Sequence, residues 1–279
     1  MEKDLIVHES PKSPVSESFR MLRTNISYLC DKKPNKVMLI TSTMPGEGKS
    51  WVASNLGIAF SQTGQKTIVV DADLRKGRLH HVFHRFNKLG LSDYLKEIDY
   101  GISENGNDES LNEEIQNEIL MKSITTTGIP NLYLMTSGAV PPNPSELLSS
   151  DNADKLIHIL KQNFDVIIFD MPPVSIVADS LVLCKKVDYV VMVTAVGETK
   201  KDMLQNSKKA IENVGGKIAG IVLNKMPGDK RKEYNKYYAK YEPDEEIYRL
   251  ANSEMKEPYN DLELDLPNSR GSRRRGQAK

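Results

Sequence analysis

The chain has 279 residues, a length that favours one large α/β domain over two small ones. Lys plus Arg and Asp plus Glu both number 38, so the formal net charge is zero, which argues against a nucleic-acid footprint over the whole surface. The two cysteines lack metal-ligand spacing, which disfavours a zinc site or a disulfide framework and favours buried, reduced thiols. No apolar run reaches the roughly 18 residues of a membrane span, and we therefore expect a cytoplasmic protein.

Strand-like and helix-like segments alternate along the chain. Apolar runs rich in β-branched residues predict strands that are covered on both faces, at 37–40, 67–70, 131–135, 166–169, 189–193 and 218–223. Helical patterns cover 15–29, 50–63, 146–163, 178–185 and 200–213. This alternation predicts a doubly wound, mostly parallel α/β sheet whose ligand lies beyond the carboxyl ends of the strands.

Three parts of different character are predicted. Residues 1–36 form an N-terminal extension in which Ser13 is the N-cap and Pro14 the first residue of a helix. Residues 37–225 form the α/β domain, which contains an acidic segment at 97–118 that we expect to be an exposed excursion. Residues 226–279 are polar, charged and rich in tyrosine, and they predict a flexible tail.

The first predicted strand runs into T-S-T-M-P-G-E-G-K-S, and a helical pattern follows. Gly48, Lys49 and Ser50 match the end of the P-loop pattern, whereas Thr43 replaces its first glycine. In such a loop, backbone N–H groups surround a phosphate, the lysine reaches the β and γ oxygens, and the hydroxyl binds Mg²⁺. A glycine-rich turn with a surface lysine is the alternative, but the strand before it and the helix after it favour the phosphate site.

Carboxylates end two further strands. Asp71 and Asp73 are two residues apart at the end of the second strand, so they point to the same side of an extended chain. Asp170 ends the strand V-I-I-F-D, as in a Walker B motif. Strand-end aspartates also occur as turn starters and helix caps, but three of them beside a P-loop favour a site for Mg²⁺ and for accepting a proton.

These segments resemble the bacterial tyrosine kinases of capsule and exopolysaccharide synthesis, from about Pro14 to the end of the chain. The P-loop resembles that family's Walker A, V-V-D-A-D-L-R its Walker A′, and V-I-I-F-D-M-P-P-V its Walker B. The segment S-G-A-V-P-P-N-P-S-E-L-L resembles a family-typical proline-rich turn, for which the residues alone indicate no chemical role. Gly77 stands near the position where a proline is expected after the Walker A′ arginine.

The resemblance implies a P-loop fold related to the partitioning and division-site ATPases, with ATP and Mg²⁺ as cofactors. It implies catalytic roles for Lys49, Asp71, Asp73 and Asp170, with either Asp71 or Asp73 as the base, and metal binding by Ser50, Asp71, Asp73 and Asp170. Arg75 is expected to hold phosphate or a neighbouring chain. The ATP-binding residues that it implies are Pro45, Gly46, Glu47, Gly48, Lys49, Ser50, Trp51 and Asn224.

Six tyrosines cluster in the tail, within 26 positions: Tyr234, Tyr237, Tyr238, Tyr241, Tyr248 and Tyr259. A helical core stripe is the alternative, but their neighbours are Lys, Asn, Glu and Asp rather than apolar residues. A tether keeps such phenols near an active site at roughly millimolar effective concentration. The cluster therefore predicts phosphoacceptor sites.

Glu17, Arg20 and Arg23 lie three residues apart on one face of the N-terminal helix. Intrahelical ion pairing is one interpretation. The resemblance implies instead a contact between kinase subunits in a ring-like homo-oligomer, with the tail of one subunit in the active site of the next. It also implies a membrane protein of polysaccharide export whose cytoplasmic segment activates the chain and recruits it to the inner face of the plasma membrane.

The hypothesis is therefore an ATP-dependent tyrosine kinase that phosphorylates its own tail and other protein tyrosines and regulates polysaccharide synthesis. The first alternative is an ATPase switch of the partitioning or division-site type. Those ATPases carry a lysine early in the P-loop that reaches across a dimer, and the corresponding residue here is Met44. The second alternative is a scaffold that binds nucleotide without chemistry, which the three carboxylates disfavour.

Overall fold

A sheet of seven strands forms the centre of the computed structural model, which describes residues 4–29, 33–96 and 109–226, without the side chains of 109–115. The strands lie in the order β3-β4-β2-β5-β1-β6-β7. Every neighbouring pair is parallel except β3 and β4. The strand bounds are Lys36–Ser42 (β1), Thr67–Asp71 (β2), Ile124–Thr126 (β3), Leu132–Met135 (β4), Val166–Asp170 (β5), Tyr189–Ala195 (β6) and Ile218–Asn224 (β7). The prediction of a mostly parallel α/β sheet is confirmed.

Helices cover both faces of the sheet. They include Ile6–Glu9 (α1), Pro14–Leu29 (α2), Lys49–Ser61 (α3), Leu79–Val82 (α4), Glu109–Ser123 (α5), Pro144–Ser149 (α6), Asp151–Asn163 (α7), Asp179–Cys184 (α8) and Lys201–Asn213 (α9), and residues 91–96 are helical as well. Alternate residues of β1 enter opposite cores, because side chains along a strand point to opposite faces. Met38 and Ile40 pack with residues of α1 to α4, whereas Val37 and Leu39 pack with residues of α6 to α9.

The N-terminal helices belong to the first of these cores. Ser13 Oγ accepts a hydrogen bond from the Ser16 backbone N–H at 3.1 Å, so the predicted N-cap before Pro14 is confirmed. Phe19 and Ile26 of α2 are buried against α3. Asn55 of α3 accepts a hydrogen bond from the Val7 N–H at 3.0 Å and thereby fixes α1. The described part of residues 1–36 is therefore packed onto the α/β domain.

Two helical segments differ from the sequence prediction. The single helix predicted over 146–163 is wrong, because Ser150 has an extended backbone (ψ 160°) that separates α6 from α7. The segment 97–118, which was expected to be an exposed excursion, is helical from Glu109, where α5 begins; Leu120 of this helix, two residues beyond that segment, is fully buried. Strand β3 has three residues, too few to show a period in the sequence.

Within the described residues no helix combines the length and the apolar character that crossing a bilayer requires. Cys184 is a buried free thiol, as expected, and burial raises its pKa to about 12. Cys30, all six clustered tyrosines and every tail residue after Met226 lie outside the described residues.

Strand register brings the predicted functional residues together. In the sheet β5 lies between β1 and β2, and Asp170 pairs in register with Ile40 on one side and with Asp71 on the other. The loop after β1 leads into α3, whose first residue is Lys49. The carboxyl ends of β1, β2 and β5 therefore meet at one edge of the sheet, where parallel α/β folds bind their ligands.

Candidate active site

The loop between β1 and α3 has the backbone of a phosphate-binding loop. Gly46 and Gly48 have positive φ angles of 81° and 95°, a conformation that residues with a Cβ rarely adopt. A Cβ on Gly48 would also clash with the side-chain amide of Asn224. No side chain caps the first turn of α3, so its N–H groups and the positive end of its dipole are available to an anion.

Glu47 stabilises this loop from the inside. Its side chain is almost completely buried. One carboxylate oxygen accepts a hydrogen bond from the Met44 N–H at 2.7 Å. The other accepts hydrogen bonds from the Ala195 N–H at 3.3 Å and from the Thr199 hydroxyl. Through these contacts Glu47 joins the loop to the end of β6. Its side chain, which was expected to bind ATP, contacts protein groups instead.

Lys49 lies among the three predicted carboxylates. Its Nζ is 3.0 Å from Asp73 Oδ2, 3.7 Å from Asp170 Oδ1, and 3.5 Å from the Ser50 hydroxyl. Burial alone would lower the pKa of Lys49, but the Asp170 and Asp73 carboxylates outweigh it and raise the pKa, so the ammonium stays charged. The structure thus places one cation and several anions where the sequence predicts phosphate and Mg²⁺.

Two of the carboxylates carry buried oxygen atoms that accept no hydrogen bond within the described residues. Both side-chain oxygens of Asp170 and Oδ1 of Asp71 accept no hydrogen bond within the described residues. Burial, reinforced by Asp170, raises the pKa of Asp71 to about 8. Burial also raises the pKa of Asp170, against the opposing effect of Lys49. Unpaired buried oxygens are costly unless a ligand or water satisfies them, so these atoms fit a site that binds a cation.

The described residues contain no group of three or more His, Cys, Asp and Glu side chains arranged to hold a metal ion by themselves. Magnesium does not require such a cage, because it keeps several waters and binds phosphate oxygens together with one or two carboxylates. Ser50, Asp71, Asp73 and Asp170 therefore fit Mg²⁺ as a companion of a bound nucleotide.

The segment after β2 is fixed by a second, smaller network. Arg75 donates two hydrogen bonds to the buried carboxylate of Asp179, at 2.8 and 3.1 Å. The Ser145 hydroxyl donates to the same carboxylate. Burial alone would raise the pKa of Asp179, but these hydrogen bonds outweigh it and hold the pKa below its usual range. Arg75 is thereby anchored within its own chain, and the proline-rich segment that contains Ser145 acquires a structural role.

Close packing around Gly77 accounts for a glycine near the position where the family resemblance leads us to expect a proline. A Cβ on this residue would clash with Ser137 of the proline-rich segment and would lie 3.0 Å from Asp71 Oδ2. The Asp71 carboxylate also accepts a hydrogen bond from the Leu79 N–H at 2.8 Å. The absence of a side chain at position 77 lets the segment after β2 pack closely against Asp71.

The remaining predicted residues lie around the loop. Pro45 and Gly46 are exposed. The Trp51 ring packs edge-to-face on Phe19 of α2, with 5.2 Å between ring centroids. Asn224 donates a hydrogen bond from its side chain to the Glu47 carbonyl at 2.8 Å. Trp51 and Asn224 therefore stay predictions as nucleotide contacts, and their observed contacts are with protein.

Sequence reasoning missed two residues of this region, Ser145 and Asp179. The signal was present in the resemblance of the proline-rich segment, but nothing in the spacing shows that it reaches the start of α8. Met44 occupies the P-loop position where the partitioning and division-site ATPases carry a lysine, and its sulfur lies 3.3 Å from the Ser175 hydroxyl.

Comparison with known proteins agrees with this geometry. Residues 38–248 match the family described as the CobQ/CobB/MinD/ParA nucleotide binding domain. The chain is 34% identical to the tyrosine-protein kinase YwqD of Bacillus subtilis, over 86% of this chain and 93% of that protein. It is 35% identical to the tyrosine-protein kinase CpsD of Streptococcus agalactiae, over 75% of this chain and 83% of that protein.

Solved structures agree with these relatives. The crystal structure of the chimerical protein CapA2B2 has a TM-score of 0.70 and 39% identity, covering 81% of this chain and 92% of that one. The kinase domain of the Escherichia coli tyrosine kinase ETK has a TM-score of 0.69 and 32% identity, covering 79% of each chain. The chain therefore belongs to the bacterial tyrosine-protein kinases, which are built on the nucleotide-binding domain of the MinD and ParA proteins.

Proposed function

We propose that this protein is an ATP- and Mg²⁺-dependent tyrosine kinase that phosphorylates the tyrosine cluster of its own tail, between subunits, and other protein tyrosines. The observation that carries the proposal is the convergence of Lys49, Asp71, Asp73 and Asp170 beside the loop in a member of the tyrosine-kinase family. The proposed biological role is the regulation of capsular or extracellular polysaccharide synthesis, as the family resemblance implies.

The residues of the site divide into groups with separate tasks. The backbone N–H groups at the start of α3 and the Lys49 ammonium would hold the triphosphate. The Ser50 hydroxyl, Asp73 and Asp170 would hold Mg²⁺, together with phosphate oxygens. When bound, Mg-ATP supplies the phosphoryl group that is transferred. Lys49 then exchanges part of its pairing with Asp73 for phosphate oxygens, which neutralises negative charge where it develops.

Asp71 is the better candidate for the base. Asp73 accepts hydrogen bonds from Lys49 Nζ and from the Lys76 N–H, whereas Asp71 has an oxygen without a partner. The free Oδ1 of Asp71 is therefore the carboxylate atom that is available to accept the phenol proton. In the proposed step the tyrosine oxygen forms a bond to the γ-phosphorus, the bond to the β-phosphate oxygen breaks, and Asp71 Oδ1 takes the phenol proton.

A membrane partner of polysaccharide export is part of the proposal. One structural relative is the chimerical protein CapA2B2. We propose that a membrane protein offers a cytoplasmic segment that recruits this chain to the inner face of the plasma membrane and activates it. Assembly into a ring-like homo-oligomer through Glu17, Arg20 and Arg23 completes the proposal.

The alternative of an ATPase switch is favoured by one observation, the match to the domain that MinD and ParA share. The residue that would reach across the dimer interface of such a switch is Met44 here, and methionine does not supply the positive charge of that lysine. Release of phosphate without phosphotyrosine would favour the switch.

The central test is Lys49→Met in the full chain with Mg-ATP, with and without the cytoplasmic segment of a candidate membrane partner. We expect no phosphotyrosine, because the variant loses the only cation within 4 Å of the described site carboxylates Asp73 and Asp170. Mass spectrometry of tail peptides measures the product, and circular dichroism verifies the fold. Lys209→Met on α9 is the control and should label normally. Substantial phosphotyrosine in Lys49→Met would refute the assignment.

A further inference from the structure

A strongly basic segment follows the Walker A′ carboxylates. Residues 75–88 contain five Lys and Arg residues and no Asp or Glu. Four of them, which we call the basic rim, are Lys76, Arg78, Arg85 and Lys88. The fifth, Arg75, is paired with Asp179 and does not belong to the rim.

The beginning of the basic rim is attached directly to the active site. The Lys76 N–H donates to Asp73 Oδ1 at 3.0 Å, and the residue after Arg78 donates its N–H to Asp71. Gly77, between the two cations, packs against Asp71. Lys76 and Arg78 are therefore neighbours, along the backbone, of the proposed base Asp71 and of the proposed Mg²⁺ ligand Asp73.

The charges of the basic rim are not neutralised within the described residues. Lys76, Arg78 and Lys88 are exposed, and none of the four rim residues forms an ion pair there. Arg85 donates hydrogen bonds to the backbone carbonyls of Thr126 and His84, which are uncharged. Of the four cations, Lys76 and Arg78 are the two that the backbone places beside the active-site carboxylates, where they supply local positive charge although the whole chain is neutral.

The tail of the same chain contains a segment of opposite charge. Residues 241–265 carry nine Asp and Glu against two Lys and Arg, a net charge of −7. The segment before it, residues 229–240, carries two acidic against five basic residues, a net charge of +3. The six tyrosines are divided accordingly: Tyr241, Tyr248 and Tyr259 belong to the acidic segment, and Tyr234, Tyr237 and Tyr238 belong to the basic one.

We propose that the basic rim is a docking surface for the acidic tail segment, residues 241–265, of a second copy of this chain. The inference rests on the proposed kinase function and adds a preference for some of the six tail tyrosines over the others. Docking delivers Tyr241, Tyr248 and Tyr259 to Asp71 in preference to the three tyrosines with basic neighbours, which the rim repels. Each phosphate adds about −1.5 to −2 charge to a tail segment, so transfer to the acidic segment also strengthens its attraction to the rim.

The test separates the enzyme copy from the substrate copy. The enzyme copy is the full chain with all six clustered tyrosines changed to Phe, and the substrate copy is the full chain with Lys49→Met. The enzyme copy is then compared with and without Lys76→Glu and Arg78→Glu. Lys155→Glu with Lys209→Glu, on α7 and α9, gives a control with the same change of charge at exposed positions elsewhere. Mass spectrometry measures phosphorylation at each tyrosine of the substrate copy.

We expect reversal of the rim charges to lower phosphorylation of Tyr241, Tyr248 and Tyr259 about 10-fold, since attraction becomes repulsion. Phosphorylation of Tyr234, Tyr237 and Tyr238 should stay the same or increase, and the control should resemble the unmodified enzyme copy. The difference between the two groups of tyrosines should shrink in 0.5 M KCl, because roughly a 4 Å Debye length screens exposed charges.

A charge exchange tests the contact directly. Glu242, Asp244, Glu245 and Glu246 of the substrate copy are changed to Lys, which should lower its binding to the unmodified enzyme copy and restore its binding to the reversed rim. Fluorescence anisotropy of a labelled substrate copy measures this binding without requiring catalysis.

The outcomes distinguish the inference from the function on which it rests. An equal loss at all six tyrosines would overturn the docking proposal, because the rim would then serve the reaction or the fold. An unchanged pattern of phosphorylation among the six tyrosines would also overturn the docking proposal. The same holds if reversal of the rim charges lowers only the binding to vesicles that contain anionic lipid. Absence of phosphotyrosine in every arm, with the activating segment present, would overturn the kinase function and the docking proposal together.

Discussion

Glu47 shows how a single residue shapes the phosphate-binding loop. Its two carboxylate oxygens accept hydrogen bonds from the backbone of Met44 and of Ala195, and both donors belong to segments that meet only in the folded chain. Buried donors that lose an acceptor cost about 1–3 kcal/mol each. Glu47 therefore contributes to stability and to the shape of the loop at the same time.

Glu47→Gln tests this double contribution. The amide keeps the volume but replaces one acceptor oxygen by an NH₂ group that faces an N–H donor. We expect a loss of about 1–3 kcal/mol in stability, a decrease in melting temperature of about 5 °C, and weaker ATP binding. Thermal melts with and without Mg-ATP measure both effects. Glu212→Gln, at an exposed position of α9, is the control, and equal behaviour of the two variants would contradict the role given to Glu47.

Sequence patterns predicted the site residues that belong to contiguous motifs, and they did so for a physical reason. Lys49 and Ser50 follow a strand and begin a helix, and Asp71 and Asp170 end apolar strands, so local spacing is sufficient to place them. The contact of Asn224 with the Glu47 carbonyl joins residues 177 positions apart. Spacing carries no information on such a contact, because it depends on how β7 lies beside β6.

At the scale of elements, the start of α8 fixes the segment that carries Asp73. Asp179 accepts two hydrogen bonds from Arg75, and Arg75 is two residues from Asp73. A bidentate pair between a guanidinium and a carboxylate restricts both position and orientation. Ser145 of α6 adds a third hydrogen bond, so α6, α8 and the segment after β2 meet at one carboxylate.

Asp179→Asn would replace this charged acceptor by an amide. We expect kcat to fall roughly 10-fold while KM for ATP changes little, since misplacement of a catalytic group by about 1 Å has effects of this order or larger. Ser145→Ala should have a smaller effect, because it leaves the bidentate pair in place. Asp151→Asn at the start of α7 is the control.

Steady-state kinetics and thermal melts together distinguish a loss of catalysis from a loss of stability. A lower melting temperature with unchanged kcat would show that the Arg75–Asp179 pair only stabilises the fold. A selective loss of kcat would show that it positions Asp73.

Element boundaries show where local patterns stop being informative. The helical spacing of apolar residues over 146–163 continues through Ser150, but the helix is interrupted there. The interruption is a change in the ψ angle of one residue, and the apolar pattern of the sequence carries no sign of it. Helix α5 begins in a polar stretch that lacks a clear apolar period, and the burial of Leu120 depends on tertiary packing rather than on local sequence.

At the scale of the whole molecule, α2 has a buried side and an exposed side. Phe19 and Ile26 pack into the core, whereas Met21 and Tyr28 are 53% and 79% exposed and lie seven residues apart, on one face of the helix. Exposed apolar residues that share a helical face are typical of contact surfaces. Glu17 and Arg20 form an ion pair at 2.7 Å and are partly exposed, so they remain accessible to a neighbouring subunit.

Arg23 differs from the other two residues of the predicted contact. Its guanidinium donates a hydrogen bond to the Ala59 carbonyl near the end of α3, at 2.7 Å, and thus joins α2 to the α/β domain. We therefore expect Glu17→Ala with Arg20→Ala to yield monomers whose melting temperature falls less than that of Arg23→Ala, because the ion pair contributes only about 0–1 kcal/mol and the Pro11 carbonyl that loses Arg20 lies in the segment before α2 rather than in the α/β domain. Arg23→Ala should lower the melting temperature by several degrees as well, because it leaves a carbonyl of α3 without its donor.

Light scattering and thermal melts on the same preparations separate assembly from stability. Thr24→Ala, at an exposed position of the same helix, is the control for helix propensity. If Glu17→Ala with Arg20→Ala leaves the mass in solution unchanged, α2 does not hold a ring together, and the tail would then have to reach an active site without a fixed neighbour. In that case tail phosphorylation should depend on protein concentration as a bimolecular encounter does. In a ring it should be nearly independent of concentration, because each tail is held beside the next active site at a fixed effective concentration.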